Sequence, residues 1–247
     1  MRSGFFLNLN LSLILLIMLT GCASTKGPKA TSPETMYKEG EALYTKGKYE
    51  DAISLLRKVK ESGSSPELTI LAGIRVADAQ FSAGKYIEAA ASYEDFRKLH
   101  PTNDKSAYAL YRIGLCHYNQ ITGIDTDQTP VKNAVIKFES FLNLYPTSEY
   151  VADARQKLES SRLKQLQHEI YVGDFYLRTG KYPSAIKRLE EALVLFPKSS
   201  GNDQTLFLLG KAYFKNAQKD KGMPVFNRLI TEFPNSKYVK DAKNYIN

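Results

Sequence analysis

The chain has 247 residues, 43% of them apolar, 24% charged and 11% aromatic, a balance that argues against disorder and suits one core or a row of small stacked units. Its net charge of +8 comes from dispersed lysines and arginines rather than from a basic cluster, which argues against nucleic acid as the partner. Anionic lipid heads, an acidic protein face or a plain solvated surface all remain compatible with that charge.

The N-terminus reads as an export signal. Met1-Arg2-Ser3-Gly4 leads into an apolar run from Phe5 to Leu19, and Leu19-Thr20-Gly21-Cys22 follows. A positive start, an apolar stretch and small residues before the cysteine are the order a signal peptide needs. The run is broken by Asn8, Asn10 and Ser12 and falls short of the roughly 20 residues a spanning helix wants. Residues 1–21 are therefore expected to be cleaved. The last four residues resemble the lipobox of bacterial lipoproteins, which implies a covalent diacylglycerol and an N-acyl lipid on Cys22; the alternative is an ordinary signal peptide with an incidental cysteine. Two lipid signals suffice for stable attachment. Ala23, standing where an aspartate would mean inner-membrane retention, favours the outer membrane, and residues 22–33 are left as a lipidated tether. Export also removes the chain from nucleic acid. Once Cys22 is lipidated, Cys116 has no cysteine with which to form a disulfide.

Beyond the tether the sequence repeats itself. Gly47-Lys48-Tyr49 precedes Ala52, Gly84-Lys85-Tyr86 precedes Ala89, and Gly180-Lys181-Tyr182 precedes Ala185, all with one spacing. Each glycine is expected to end a helix and each tyrosine to begin the next. Prolines close the units at Pro101, Pro146, Pro197 and Pro234. Small residues recur at Gly40, Ala77, Gly114, Gly173 and Gly210, where the two helices of a hairpin would approach closely. This resembles the tetratricopeptide pattern and predicts an all-α fold: a right-handed α-solenoid of five tetratricopeptide-like helical hairpins plus a C-terminal capping helix. Units one to three occupy 34–147, and units four and five with the cap occupy 148–247.

Two insertions interrupt the 37-residue spacing. One, Asn119 to Thr129, lies between the helices of the third unit, where Thr129 is expected to cap the helix that Pro130 begins. The other lengthens the first helix of unit four by 14 residues, about four turns, so that its packed face stays in phase. Those turns carry Arg155, Leu158, Arg162, Leu163 and Leu166 and could protrude as a docking arm or pack against the third hairpin.

Catalytic and metal-binding patterns are missing. His100, His117 and His168 lie far apart, and no phosphate loop or GxSxG occurs. Neither a cofactor nor enzymatic activity is expected. Residues three before and four after each small position share a face of the first helix: Tyr37 and Tyr44, Ile74 and Phe81, Tyr111 and Tyr118, then Ile170, Leu177, Phe207 and Phe214. In a solenoid they line a concave groove suited to an aromatic peptide, or else they pack between successive hairpins.

From Asp127-Gln128 through Phe138, Phe141, Tyr145-Pro146, Asp153-Ala154-Arg155, His168-Glu169, Tyr171-Val172-Gly173 and Phe175-Tyr176 to Ala185-Ile186, the chain resembles the BamD (YfiO) family. The resemblance implies a lipid-anchored scaffold on the periplasmic face of the outer membrane. Its implied partners are a BamA-type β-barrel protein, bound through its POTRA domains, the other Bam lipoproteins, and unfolded outer-membrane proteins. It also implies that Arg188 lies at the POTRA contact, the alternative being a solvated arginine, and that the N-terminal repeats receive the C-terminal signal of unfolded barrel substrates. Arg155 and Arg162 of the long helix are further partner-contact candidates, and Tyr37, Tyr44, Ile74, Phe81, Tyr111 and Tyr118 are the substrate-groove candidates. Glu61-Ser62-Gly63-Ser64-Ser65-Pro66 replaces the family's Tyr-Pro turn after the first repeat. Other readings are a scaffold or pilotin for a different envelope secretion or pilus machine and, with no catalytic constellation to support it, a periplasmic enzyme.

Overall fold

The structure is a computed structural model that describes residues 32–63 and 65–246, so the expected signal peptide, Cys22 and most of the tether lie outside the described residues. The described residues form five antiparallel helical hairpins and a final short helix. They are α1 Pro33–Thr45 with α2 Tyr49–Glu61, α3 Pro66–Ser82 with α4 Tyr86–Leu99, and α5 Lys105–Asn119 with α6 Thr129–Leu144. Next come α7 Val151–Arg178 with α8 Tyr182–Leu195, α9 Asn202–Lys215 with α10 Lys219–Glu232, and α11 Val239–Ile246.

Local chemistry sets the ends. Pro33 and Pro66 open α1 and α3, where proline's missing N–H costs nothing, and Ser32 and Ser65 each accept a backbone N–H at 3.3 Å. Between hairpin helices the backbone turns through the left-handed region at Gly47, Gly84 and Gly180, with φ between +73° and +76°. The following lysine N–H reaches back to close the turn, as from Lys181 to the Tyr176 carbonyl at 2.9 Å. The fifth hairpin makes the same turn with Ala217 at φ +57°. A Cβ there costs about 1–2 kcal/mol, partly offset by the greater freedom glycine gives the unfolded chain. Ala217→Gly is therefore expected to raise the unfolding free energy by up to about 1 kcal/mol and Gly180→Ala to lower it by at least as much, as measured by urea denaturation.

The small residues sit where the helices of a hairpin meet. A Cβ on Gly173 would lie 2.7 Å from Leu189, and one on Gly210 would lie 2.5 Å from Phe226. Gly222, standing where the repeat usually has alanine, makes room for Phe214, whose ring would lie 2.5 Å from an added Cβ. At α6 the expected cap is different: Thr129 is the first helical residue, and Asp127 Oδ1 accepts both its N–H at 2.9 Å and its hydroxyl at 2.8 Å. The threonine hydroxyl is thus turned back as a donor to Asp127, and Gln128 takes the N-cap position without a side-chain cap.

The long helix is a shared wall rather than a projecting arm. The first half of α7 buries Ala154 and Leu158 with the second and third hairpins, in a cluster that runs from Ile74 to Phe141. Its second half buries Leu166, Ile170 and Leu177 with α8, α9, α10 and Ala242 of α11. A smaller cluster joins Ile53 and Leu56 of α2 to Val76 and Ala79 of α3. Four added turns thus give one helix two packing partners in succession. The last two hairpins are displaced along it relative to the first three.

Candidate partner-binding groove

The first helices of hairpins one to three carry the aromatic face expected from the repeat, and most of its rings are tied to the next hairpin. Tyr44 Oη lies 3.1 Å from Ser82 Oγ, and Tyr118 Oη lies 3.1 Å from Ser160 Oγ. Tyr111 donates to Asp153 Oδ2 at 2.6 Å and stacks on Tyr150 with centroids 4.8 Å apart. The Phe81 ring carries the Arg112 guanidinium 3.8 Å above its centre. Ile74 is buried, whereas Tyr37, Tyr44, Phe81, Tyr111 and Tyr118 are half-buried. Most of the rings therefore hold hairpins together while leaving part of their surface exposed. Burial, then the hydrogen bond to Asp153, pushes the Tyr111 phenol above its usual range, so it remains a donor at physiological pH.

Tyr37 and Ile74 also line a groove of about 410 Å³ that runs past Arg75, Lys105, Tyr108 and Tyr150. Beneath it lies a polar network that the repeat pattern did not disclose. Asp78, 5% exposed, accepts from Tyr93 at 2.5 Å, from Tyr108 at 2.8 Å and from Arg75 at 3.3 Å. Arg75 also pairs with Glu41 at 2.5 Å, and Arg112 donates to Tyr108 at 2.9 Å. Burial, and then the Asp78 charge, raises both the Tyr93 and Tyr108 phenols far above their usual range. The signal that could have found this network is the recurrence of arginine, Arg75 and Arg112, 37 residues apart and two before the small position of units two and three.

The arginines assigned to partner contact are spread along α7 and α8. Arg155 is exposed. Arg162 bridges Glu139 at 2.8 Å and Glu159 at 3.0 Å, and Arg188 pairs with Glu169. Arg162 and Glu169 line a notch of about 620 Å³ where α6, the middle of α7 and the α8–α9 turn meet. Any acidic partner group would have to compete with these internal carboxylates. Cys116 is buried and burial pushes its thiol up to about 12, so it is a packing residue. Among the described residues no group of three His, Cys, Asp or Glu side chains could hold a metal, and no helix is long and apolar enough to cross a membrane.

A row of antiparallel helical hairpins with an aromatic face along its first helices defines a tetratricopeptide-like repeat protein. Within that class the chain belongs to the YfiO family, described as outer membrane lipoproteins, whose family model matches residues 29–224. It is 29% identical over 241 residues to the outer membrane protein assembly factor BamD of Rickettsia prowazekii, covering 95% of this chain and 96% of the relative. It is 26% identical to the same factor of Caulobacter vibrioides, covering 93% and 77%, and 26% identical to that of Vibrio cholerae, covering 81% and 88%.

Proposed function

We propose that the chain is a non-enzymatic assembly factor for outer-membrane proteins, held at the periplasmic face of the outer membrane by lipid on Cys22. It binds a BamA-type barrel through its POTRA domains, in company with the other Bam lipoproteins, and receives unfolded outer-membrane proteins in the groove of its first three hairpins. The observation that carries this reading is similarity over nearly the whole length of assembly factors of that name, including 96% of the Rickettsia protein. The groove adds physical support, because half-buried tyrosines offer contact area and hydroxyls at little entropic cost, as alternating aromatic strands require.

Co-purification from solubilised outer membranes tests the reading. The wild-type chain is expected to carry a BamA-type barrel with it, and Cys22→Ser to lose acyl labelling and leave the membrane fraction. Arg188 is half-buried against Glu169, so Arg188→Leu should release the barrel with little change in melting temperature. Recovery of some other envelope machine in place of the barrel would refute the proposal.

A further inference from the structure

In hairpins two, three and five the first helix turns one face toward the hairpin before it, and that face is closed. The residues one before and two after the small position are Val76 and Ala79 in α3, Ile113 and Cys116 in α5, and Leu209 and Ala212 in α9, all at most 5% exposed. Their cover is the second helix of the preceding hairpin, as Ile53 and Leu56 of α2 cluster with Val76 and Ala79. Hairpin one has no predecessor among the described residues, and there the corresponding face is polar or small and exposed: Lys38, Glu39 and Ala42. This is how an open end of a repeat stack stays soluble.

Hairpin four departs from both patterns. At the same two positions it carries half-buried Val172 and Phe175, 46% exposed, and Tyr171, 41% exposed, lies one turn before Phe175. The cause is the displacement along α7. The third hairpin packs against the first half of that helix and its last polar contact is at His168, whose Nδ1 donates to the Ile124 carbonyl at 2.5 Å. From Tyr171 onward, the place a preceding second helix would fill is open. Two adjacent aromatic residues one turn apart are costly to leave in water and are the kind of anchors that dominate protein interfaces.

We propose that this face is a docking site for an amphipathic α-helix of a partner protein, seated where the preceding second helix is missing and carrying acidic residues along its flank. The stretch from His168 to Arg178 is about 15 Å long, enough for a helix of about three turns. Charge selects its flank: Lys164 borders the face with no carboxylate partner among the described residues, whereas the one carboxylate on that border, Asp174, is neutralised by Arg178 at 2.9 Å. This inference needs neither the groove of the first three hairpins nor the Arg188 contact.

The test is a photoreactive benzoylphenylalanine in place of Phe175 in the full chain, in the cells that make it, with Lys58 on exposed α2 surface as the control position. The expected cross-link falls in a partner segment with apolar residues at helical spacing and net negative charge. A synthetic peptide of that segment should bind the purified chain, more weakly as salt rises. Phe175→Glu and Tyr171→Ser should each weaken it at least tenfold with an unchanged melting temperature, since both side chains are exposed. Cross-links only to lipid, to a second copy of this chain or to an extended segment would overturn the proposal. So would labelling no greater than at Lys58, or equal peptide affinity for Phe175→Glu.

Discussion

Asp78→Ala is expected to lower the unfolding free energy by about 3–5 kcal/mol, the range for stripping a buried charged network of one member. The carboxylate is 5% exposed and serves two phenols and a guanidinium at once. Alanine would leave the Tyr93 hydroxyl without an acceptor and would free one side of Arg75, while filling none of the vacated space. Tyr93→Phe removes one donor and leaves the carboxylate with two others, so it should cost only about 1–1.5 kcal/mol. Asp78→Asn keeps the shape and an acceptor but turns an amide toward Arg75, and should fall between them. Urea melts followed by helical circular dichroism rank the three. Because Arg75 and Tyr108 also line the groove, Asp78→Ala should weaken peptide binding there as well. If Asp78→Ala lost less than Tyr93→Phe, Glu41 and water would be holding Arg75 without it, and the network would not be what joins these hairpins.

Much of the architecture was legible because it is periodic. The glycine and tyrosine of each inner turn report a helix end and a helix start, and the structure places both as expected at residues 47–49, 84–86 and 180–182; the left-handed glycine and the returning lysine N–H are how the turn is closed. Gly173 and Gly210 announced close helix contacts because any Cβ there would enter a leucine or phenylalanine side chain. What the repeat could not disclose is where it breaks. Fourteen extra residues fix the length and phase of α7, but whether its added turns project or pack depends on what lies beside Leu158 and Leu166, and spacing alone does not encode that neighbour. The same reason hid Asp78. Its partners Tyr93 and Tyr108 lie 15 and 30 residues away on two other helices, and a single carboxylate in a helix usually faces water. The aromatic face lies between these cases: spacing places its residues on one side of the first helices, but only the neighbouring hairpin, through Ser82, Arg112, Asp153 and Ser160, decides how much of each ring is spent on packing.

Lys164→Pro should split the protein into two melting units. Leu158 is the last residue of α7 in the core of hairpins two and three, and Leu166 is the first in the core of hairpins four and five, so the backbone between them is the continuous link between two separate clusters. Proline at 164 removes the hydrogen bond to the Ser160 carbonyl and collides with it, costing about 3 kcal/mol or more inside a helix. That penalty falls on the link and touches neither core. In a repeat stack, cooperativity depends on nearest-neighbour coupling, so weakening one junction separates the transitions on either side. Calorimetry should show one transition for the wild type and two for Lys164→Pro, with new proteolytic cleavage between Leu158 and Leu166. Lys164→Gly, at about 1 kcal/mol, should lower the melting temperature and keep a single transition. A single transition for Lys164→Pro would mean that the coupling runs across the notch, through Arg162 with Glu139 and His168 with the Ile124 carbonyl, and that the helix backbone is dispensable for it.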